Sequence, residues 1–249
     1  MKKVILVDRK GRKKLLELKD QVERIPDLGV IDFSNLPRDL EGRKVEIAGK
    51  EFIALTPSIL DLVETIEREA QIITAKDSAS IILNCNVKSG DSVLEIGTGS
   101  GALTIILGHF VSPGGRVVTY ERREDFAKLA RRNIERAGLE NLIKVRNRDA
   151  LEGIEERNYD CAVVDIPNPW EVLGHVYEAL GAGGHLAVYV PSVNQMEKAV
   201  KRLREFPFIE VRSMEIIQRE MVVGERGTRP SFDMLGHTGY LTFARKVLI

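Results

Sequence analysis

Two carboxylates in this sequence stand at the ends of apolar segments, where a folded chain would place them at the rim of a site. Glu95 lies in "LEIGTGSGALT", two positions before the first of the glycines Gly97, Gly99 and Gly101. Asp165 ends the segment "YDCAVVD". Carboxylates attract a cationic group and repel a pyrophosphate. We therefore predict a site for a ligand with a positive centre, such as a sulfonium or an ammonium group.

The glycine loop indicates what the rest of that ligand is. Glycine permits a tight turn and lets backbone N–H groups approach a ligand at a helix N-terminus. The hexapeptide "GTGSGA" at 97–102 also satisfies the loose dinucleotide fingerprint, and Glu121, about twenty residues on, is placed to bind a ribose hydroxyl pair. NAD and S-adenosylmethionine both carry an adenosine ribose. The acids at 95 and 165 favour S-adenosylmethionine; a loop that only turns is the third alternative.

Two further segments contribute candidate site residues. In "NRDAL", Asp149 would accept a hydrogen bond from an adenine amine and Ala150 would donate its backbone N–H, although a plain helix cap explains Asp149 equally well. In "DIPNPW", Pro167 and Pro169 hold the chain extended before Trp170, the only tryptophan. This stretch is typical of a pocket wall, but a tryptophan that opens a helix more often packs against the core.

The composition leaves the partner open and bounds the compartment. The chain has 249 residues, with 37 Lys plus Arg and 37 Asp plus Glu, so bulk charge neither indicates nor excludes nucleic acid. Cys85 and Cys161 lie in apolar runs without metal-ligand spacing, which predicts buried free thiols, a reducing cytosol and no metal. No apolar run approaches the ~20 residues that span a bilayer. We expect a soluble, cytoplasmic protein without a membrane partner.

The elements that would position these residues fall into two groups. Residues 1–57 contain short strand-like pieces, including "RKVEIAGKEFIAL" with a hairpin tip at "AGK", and predict a small β-domain. Residues 58–249 alternate apolar strands with helices, which predicts a parallel sheet covered on both faces. Two late strand candidates, "IEVRSMEIIQREMVV" and "GYLTFARKVLI", have no helix between them and predict an antiparallel edge. The fold class is α/β, doubly wound.

Four segments together resemble a known family: "LEIGTGSGALT", "DIPNPW", "YVPSVNQ" and "RPSFDMLGHTGYLTFARK". They are similar to the tRNA (adenine-N1)-methyltransferases that modify the T-loop adenine at tRNA position 58. The resemblance extends to the N-terminal part through "LGVIDFSNL", "LTPSILDLVETIERE" and "QIITAKDSASII". It implies a class I S-adenosylmethionine-dependent methyltransferase fold, a seven-stranded Rossmann-like sheet with a small N-terminal β-domain that contacts tRNA, and a homotetramer.

The resemblance also implies which residues form the site. The cofactor-binding residues would come from the glycine loop and the following strand ends: Gly97, Thr98, Gly99, Ser100, Gly101, Leu103, Thr104, Glu121, Asp149 and Asp165. Asp165 would also be the catalytic acid that contacts the target adenine, with Pro167 and Trp170 on the substrate side. The family usually has Tyr or His, then Pro-Lys-Asp, where this chain has Thr74-Ala75-Lys76-Asp77. Threonine cannot stack on a base, so Thr74 is a departure at a substrate-binding position.

The expected activity is methyl transfer from S-adenosylmethionine to N1 of that tRNA adenine. Basic segments would hold the tRNA phosphates: "DRKGRKK" at 8–14, "RKVEI" at 43–47, and Arg219, Arg226 and Arg229. Three alternatives stay open: a non-catalytic tRNA-binding paralogue, a methyltransferase for another substrate, and an NAD-dependent oxidoreductase. Intact glycines, Glu121 and Asp165 oppose the first, because a binding partner has no need of a cofactor site.

Overall fold

The chain divides into two compact units, Met1–Ile66 and Glu67–Ile249. The computed structural model describes residues 2–18, 21–26, 28–33, 39–225 and 227–249. The two units are distinguished by packing alone, so the functional boundary placed between residues 57 and 58 stays a prediction. In the described part of the chain, no helix has the length and apolar character needed to cross a membrane.

The first unit is built around a four-stranded antiparallel sheet in the order β2-β1-β6-β5. Its elements are β1 (Lys2–Asp8), β2 (Lys13–Leu18), β3 (Val22–Ile25), β4 (Gly29–Asp32), β5 (Arg43–Ile47), β6 (Lys50–Leu55) and α1 (Ile59–Glu64). The predicted hairpin at "AGK" joins β5 to β6. One face of the sheet buries side chains such as Leu6, Leu16 and Phe52. The pairing of β3 with β4 was not predicted, because neither segment alternates clearly between apolar and polar residues.

The second unit is a seven-stranded sheet with helices, in the order β12-β15-β11-β10-β7-β8-β9. The strands of this unit are β7 (Ser92–Ile96), β8 (Arg116–Tyr120), β9 (Ile143–Arg146), β10 (Tyr159–Val164), β11 (Leu180–Val190), β12 (Phe208–Glu215), β13 (Met221–Gly224), β14 (Gly227–Pro230) and β15 (Tyr240–Lys246). The α-helices are α2 (Ala75–Asn84), α3 (Ala102–Val111), α4 (Glu124–Ala137), α5 (Leu173–Ala179) and α6 (Val193–Leu203). β15 runs antiparallel to β11 and to β12. This confirms the mostly parallel sheet with an antiparallel edge region.

The register of the sheet brings the functional strand ends together. β10 pairs in parallel with β7 and β11, with Val164 opposite Ile96 on one side and Val188 on the other. Gly97 and Asp165 follow β7 and β10 at the same edge of the sheet, and β11 continues beside them to Val190. Asp165 therefore emerges beside Gly97, at the carboxyl ends of parallel strands where open α/β sheets bind ligands.

Two sequence predictions of regular structure were wrong in extent. The segment "IEVRSMEIIQREMVV" is not one strand: β12 ends at Glu215, and β13 pairs only with β14 in a separate hairpin whose side chains are exposed. The segment "WEVLGHVYEAL" is a short 3₁₀-helix at Pro169–Glu171 followed by α5, not one helix. The local pattern of apolar residues does not predict at which residue a strand stops pairing with its neighbour in the sheet.

Candidate active site

A cavity of about 360 Å³ opens at the carboxyl edge of the sheet, within the usual range for ligand pockets. Its walls come from the loops that follow β7, β8, β9 and β10. Seven residues predicted for the site line this cavity: Gly97, Gly99, Glu121, Asp149, Ala150, Asp165 and Pro167. The structure thus brings together residues that are up to 70 positions apart in the sequence.

Gly97 makes the closest approach between two of these loops. Its φ is +96°, and a Cβ atom there would overlap the carbonyl oxygen of Asp165 and lie 2.9 Å from the carbonyl carbon. The Asp165 N–H donates to the Ile96 carbonyl at 2.8 Å, which continues the strand pairing up to the cavity. Only glycine allows the loop to lie directly on the end of β10.

Glu121 directly follows β8 and connects the glycine loop to the loop after β8. One carboxylate oxygen accepts from the Gly99 N–H at 3.0 Å, and the other accepts from the Arg123 N–H at 2.9 Å. A carboxylate has about four acceptor positions. Glu121 can therefore hold the main chain in place and still accept hydrogen bonds from the two hydroxyls of a ribose.

Asp165 is the carboxylate best placed for chemistry. It is half-buried on the cavity wall, and burial raises the pKa of its carboxyl to about 7. Among the described residues, none stabilises the charged form by a hydrogen bond to this carboxylate. Its acceptor positions are thus available to a cationic ligand or to an amine donor.

Glu95 lies deeper than the sequence predicted. Its side chain is 1% exposed and does not line the cavity; the Thr104 hydroxyl donates to it at 2.5 Å. Burial raises the pKa of Glu95 to about 8, and the nearby charges of Asp165 and Glu121 add to the effect. A cation in the cavity would favour its ionised form, but direct contact between Glu95 and a cofactor stays a prediction.

The remaining loop residues lie behind the cavity wall. The hydroxyls of Thr98 and Thr119 share a hydrogen bond of 2.6 Å, and the Ser100 carbonyl accepts from Asn133 at 2.8 Å. Buried residues of the loop and the first turn of α3 that do not line the cavity are Thr98, Ser100, Gly101, Leu103 and Thr104. These residues hold the loop in its shape, and their roles in cofactor binding stay predictions.

Asp149 fills one of the two roles considered for it and is placed for the other. Its carboxylate accepts from the Leu151 N–H at 3.0 Å and so caps the 3₁₀-helix Ala150–Glu152. Asp149 also lines the cavity together with Ala150. One carboxylate oxygen therefore holds the helix end, and the contact of the other with an adenine amine stays a prediction.

Of the residues predicted to contact the substrate besides Asp165, one lines the cavity and two do not. Pro167 lines the cavity, and its carbonyl accepts from the Gln195 side chain at 2.9 Å. Trp170 is half-buried outside the cavity wall, with the Lys198 ammonium 3.8 Å from its ring centre. Thr74 is also outside the wall; its hydroxyl donates to the Asp77 carboxylate at 2.8 Å. Contacts of Trp170 and Thr74 with a substrate stay predictions.

Sequence reasoning missed part of the cavity wall. The additional lining residues are Ala70, Gln71, Ile96, Tyr120, Arg122, Arg123, Phe126, Arg148, Leu151, Ile166, Asn168 and Glu171. The Arg123 guanidinium lies 4.1 Å from the Phe126 ring centre, which builds one side of the wall. Arg122 and Arg123 directly follow Glu121, so their place after a strand end was a usable signal.

The basic segment at 8–14 is largely neutralised within the first unit. Arg9 pairs with Glu51, Arg12 with Asp8, and Lys13 with both Asp61 and Glu64. Lys10 forms no ion pair with a described residue. Arg226 lies outside the described residues.

The charged and thiol side chains of the described ranges include no cluster of three or more His, Cys, Asp or Glu that could hold a metal ion. Cys85 and Cys161 are buried free thiols.

The carboxylates that line this cavity fit S-adenosylmethionine. Glu121, Asp149 and Asp165 supply three carboxylates around it, and the glycine loop leaves no space for a side chain at Gly97. Carboxylates suit a ligand that carries a sulfonium, an ammonium, a ribose and an adenine amine. Arg122, Arg123 and Arg148 also line the cavity, but the Glu121 carboxylate accepts from the Gly99 N–H and would repel a pyrophosphate at the glycine loop, which disfavours NAD.

Comparison with known proteins agrees with this assignment. Residues 51–228 match the family described as tRNA methyltransferase complex GCD14 subunit. A Methanocaldococcus jannaschii protein, tRNA (adenine(57)-N(1)/adenine(58)-N(1))-methyltransferase TrmI, is 34% identical over 97% of this chain and 94% of its own.

Two solved structures are similar over the whole chain. A SAM-dependent O-methyltransferase from Thermotoga maritima has a TM-score of 0.87 and 35% identity, covering 100% of this chain and 94% of its own. The tRNA (m1A58) methyltransferase TrmI from Aquifex aeolicus has a TM-score of 0.79 and 30% identity, covering 100% and 98%. With its cavity, its sheet and these relatives, this chain belongs to the family of S-adenosylmethionine-dependent tRNA (adenine-N1)-methyltransferases.

Proposed function

We propose that this protein is a tRNA (adenine(58)-N(1))-methyltransferase that transfers a methyl group from S-adenosylmethionine to N1 of the T-loop adenine. The observation that carries the proposal is Asp165 on the cavity wall: its main-chain carbonyl lies against Gly97, and its carboxylate has its acceptor positions available. The names of the M. jannaschii and A. aeolicus relatives support the choice of N1 of adenine 58.

S-adenosylmethionine, when bound, supplies an electrophilic methyl group on a cationic sulfur. Glu121 would hold its ribose hydroxyls, Asp149 and the Ala150 N–H its adenine, and the loop at 97–101 its main body. Glu95, buried behind the loop, would add negative charge once a cation lowers its pKa. These residues bind and orient the cofactor, and the only proton that has to move among them is the one that Glu95 releases when it ionises.

Asp165 then acts on the substrate adenine. N1 of neutral adenine carries an in-plane lone pair, so no base is needed beforehand, and alignment is the main task. Methylation of N1 places positive charge on the ring. The Asp165 carboxylate, accepting from the exocyclic N6 amine, would stabilise that charge as it develops. The target base must first leave its stack, which costs a few kcal/mol, and contacts elsewhere on the tRNA must supply that energy.

The test uses labelled methyl donor and unmodified tRNA, followed by mapping of the modified nucleoside. We expect 1-methyladenosine at position 58. Asp165→Ala should abolish transfer while S-adenosylhomocysteine still binds by calorimetry. Asp160→Asn is the matched control, because Asp160 lies at the other end of β10, where its carboxylate accepts from the Ser92 N–H. Near-normal turnover in D165A would refute the assignment.

A second candidate acceptor follows from the comparisons. The T. maritima structure, at 35% identity, is described as an O-methyltransferase, so a hydroxyl acceptor is the competing reading. The nucleoside mapping described above separates the two acceptors, because a nucleoside methylated on a hydroxyl and 1-methyladenosine differ in mass-spectrometric fragments and in chromatographic retention. The name of the M. jannaschii relative includes adenine 57. Methylation assays on tRNAs with adenine at position 57, at position 58 or at both decide whether this protein methylates one position or two.

We also propose that the first unit contacts tRNA phosphates, with Lys10 the leading candidate. It lines a basic concavity together with Arg9, Arg12 and Lys13, whose charges are already paired. Arg229 is a second candidate, since its guanidinium lies 4.1 Å from the exposed ring of Phe232 and offers a flat cationic surface to RNA. Binding of tRNA should then weaken steeply with salt.

The proposed assembly is a homotetramer in the cytoplasm. The β13–β14 hairpin supports self-association, because Met221, Val222 and Val223 are exposed. Exposed apolar groups of this extent mark interaction surfaces. Light scattering of purified protein should give four times the chain mass, and Val223→Asp should lower it. A monomer at micromolar concentration would rule the tetramer out.

A further inference from the structure

A buried polar cluster joins the start of α2 to the segment before β15, outside the cofactor cavity. The Asp77 side chain is fully buried, and its carboxylate accepts from the hydroxyls of Thr74 and Thr238, both at 2.8 Å. The Lys76 ammonium donates to Asp77 at 2.8 Å and to the Thr238 hydroxyl at 2.7 Å. Lys76, Asp77 and Thr238 thus form a closed triangle of hydrogen bonds.

Such a cluster is not explained by stability. Removing two charges from water is costly, and replacing a buried ion pair by apolar residues is often neutral or stabilising. The Lys76 side chain is only 11% exposed and that of Asp77 is 0% exposed. Buried ion pairs of this kind can instead select one arrangement of the elements they connect. Here those elements are separated by 161 positions in the sequence.

The triangle touches the residue next to Asp165. Tyr189 follows Val188, which pairs with Val164, so Tyr189, still within β11, lies beside Asp165, which directly follows β10. Gly239 lies directly against the Tyr189 ring: a Cβ there would be 2.6 Å from the hydroxyl oxygen. Burial raises the pKa of Tyr189 to about 12, opposed by a hydrogen bond with Thr238. The segment that contains Thr238 therefore fixes the position of Tyr189.

A second anchor holds the same segment from the other side. The two ring nitrogens of His237 lie 2.6 Å from the Glu215 carboxylate and 2.8 Å from the Pro191 carbonyl. Pro191 follows the end of β11, two residues after Tyr189. The segment at 237–239 is thus fastened to α2, to β12 and to the end of β11.

We propose that Lys76, Asp77 and Thr238 are positioning residues for methyl transfer, which act through Tyr189 on the geometry around Asp165. The inference rests on the proposed function. None of the three lines the cofactor cavity, so their loss should lower kcat and leave cofactor affinity intact. A displacement of about 1 Å near a reacting centre costs roughly 100-fold in rate.

Thr238→Val is the main test, since valine keeps the shape and removes the hydroxyl while the Lys76–Asp77 pair remains. We expect kcat to fall by roughly 100-fold, with the Kd for S-adenosylhomocysteine and the KM for tRNA essentially unchanged, and Thr238→Ser to restore most of the activity. Thr242→Val is the matched control: its buried hydroxyl bonds to Ser213 at 2.8 Å in the β12–β15 pair.

The outcomes are distinguishable. If T238V does not fold, Lys76→Arg keeps the charge beside Asp77 but replaces a compact ammonium by a planar fork, and the same fall in kcat is expected. If the wild-type protein methylates tRNA and the kcat of T238V or of K76R equals that of T242V, the inference is overturned and the proposed function is not. Wild-type protein that methylates no tRNA would overturn the proposed function, and this inference with it.

Discussion

Gly97→Ala tests whether the contact between two strand ends builds the active site. The main chain of Gly97 lies against the Asp165 carbonyl, and an added Cβ would lie 2.9 Å from the carbonyl carbon. Gly90 provides a matched control. Its φ of +88° is close to the +96° of Gly97, but a Cβ at Gly90 meets nothing within 4 Å. The pair separates crowding from backbone strain.

The expected magnitudes follow from these two geometries. A left-handed backbone costs an L-residue about 1–2 kcal/mol, so both variants lose that much free energy of unfolding. Only at Gly97 does overpacking add about 1–3 kcal/mol. Relief of the overlap moves the loop by roughly 1 Å away from Asp165, and a shift of that size costs roughly 100-fold in catalytic rate.

Three measurements on G97A and G90A complete the test. Urea unfolding should show a larger loss of stability for G97A. Calorimetry should show weakened S-adenosylhomocysteine binding for G97A alone, and the tRNA assay should show the rate loss. If G97A unfolds, binds and turns over like G90A, the contact between Gly97 and Asp165 does not build the site.

Four further perturbations have defined outcomes. Because burial raises the pKa of Asp165 to about 7, kcat/KM should rise with pH up to about 7 and then level off; a rate independent of pH from 5 to 8 would contradict a role for its carboxylate. Glu121→Gln should raise the cofactor Kd about 10- to 100-fold, since hydrogen bonds to a charged group contribute about 1.5–3 kcal/mol, and unchanged calorimetric affinity would exclude Glu121 as the ribose acceptor. The hydrogen bond to Glu215 raises the pKa of His237. The stabilisation of the fold by this pair is therefore complete below the unfolded pKa of about 6.5 and is lost as pH rises through the folded pKa. The melting temperature of His237→Gln should lack this pH dependence, and parallel curves of melting temperature against pH for the two proteins would disprove the role of His237. Lys10→Ala should reduce the slope of log affinity for tRNA against log salt by about 1, and an identical slope would remove Lys10 from the interface.

The fold was legible in the sequence because its strands are apolar and its helices are amphipathic. Segments such as "CAVVD" contribute buried central strands, and the polar–apolar segment 124–137 becomes α4, which Gly138 caps. The sheet edge that holds the site follows from the parallel order of the strands. Asp165 and Gly97 could therefore be placed near each other, since each follows the carboxyl end of a central strand.

Other parts of the site depend on contacts that no local pattern contains. Whether the Glu95 side chain faces the cavity or the interior depends on the direction in which the end of β7 turns. The carboxylate faces the interior, where it accepts a hydrogen bond from the Thr104 hydroxyl. The partner of Asp77, Thr238, lies in a polar segment without regular structure. Likewise, β13 pairs with β14 and with no other strand of the described residues, which hydrophobicity cannot reveal.

The place of β15 has a consequence for synthesis of the protein. This strand is inserted between β11 and β12, although it follows both in the chain. A nascent chain that has emerged only as far as β12 has an open edge at β11, and unpaired edges recruit other strands. Maturation of the enzyme must therefore wait for β15, and chains stalled before residue 240 are expected to aggregate or require a chaperone.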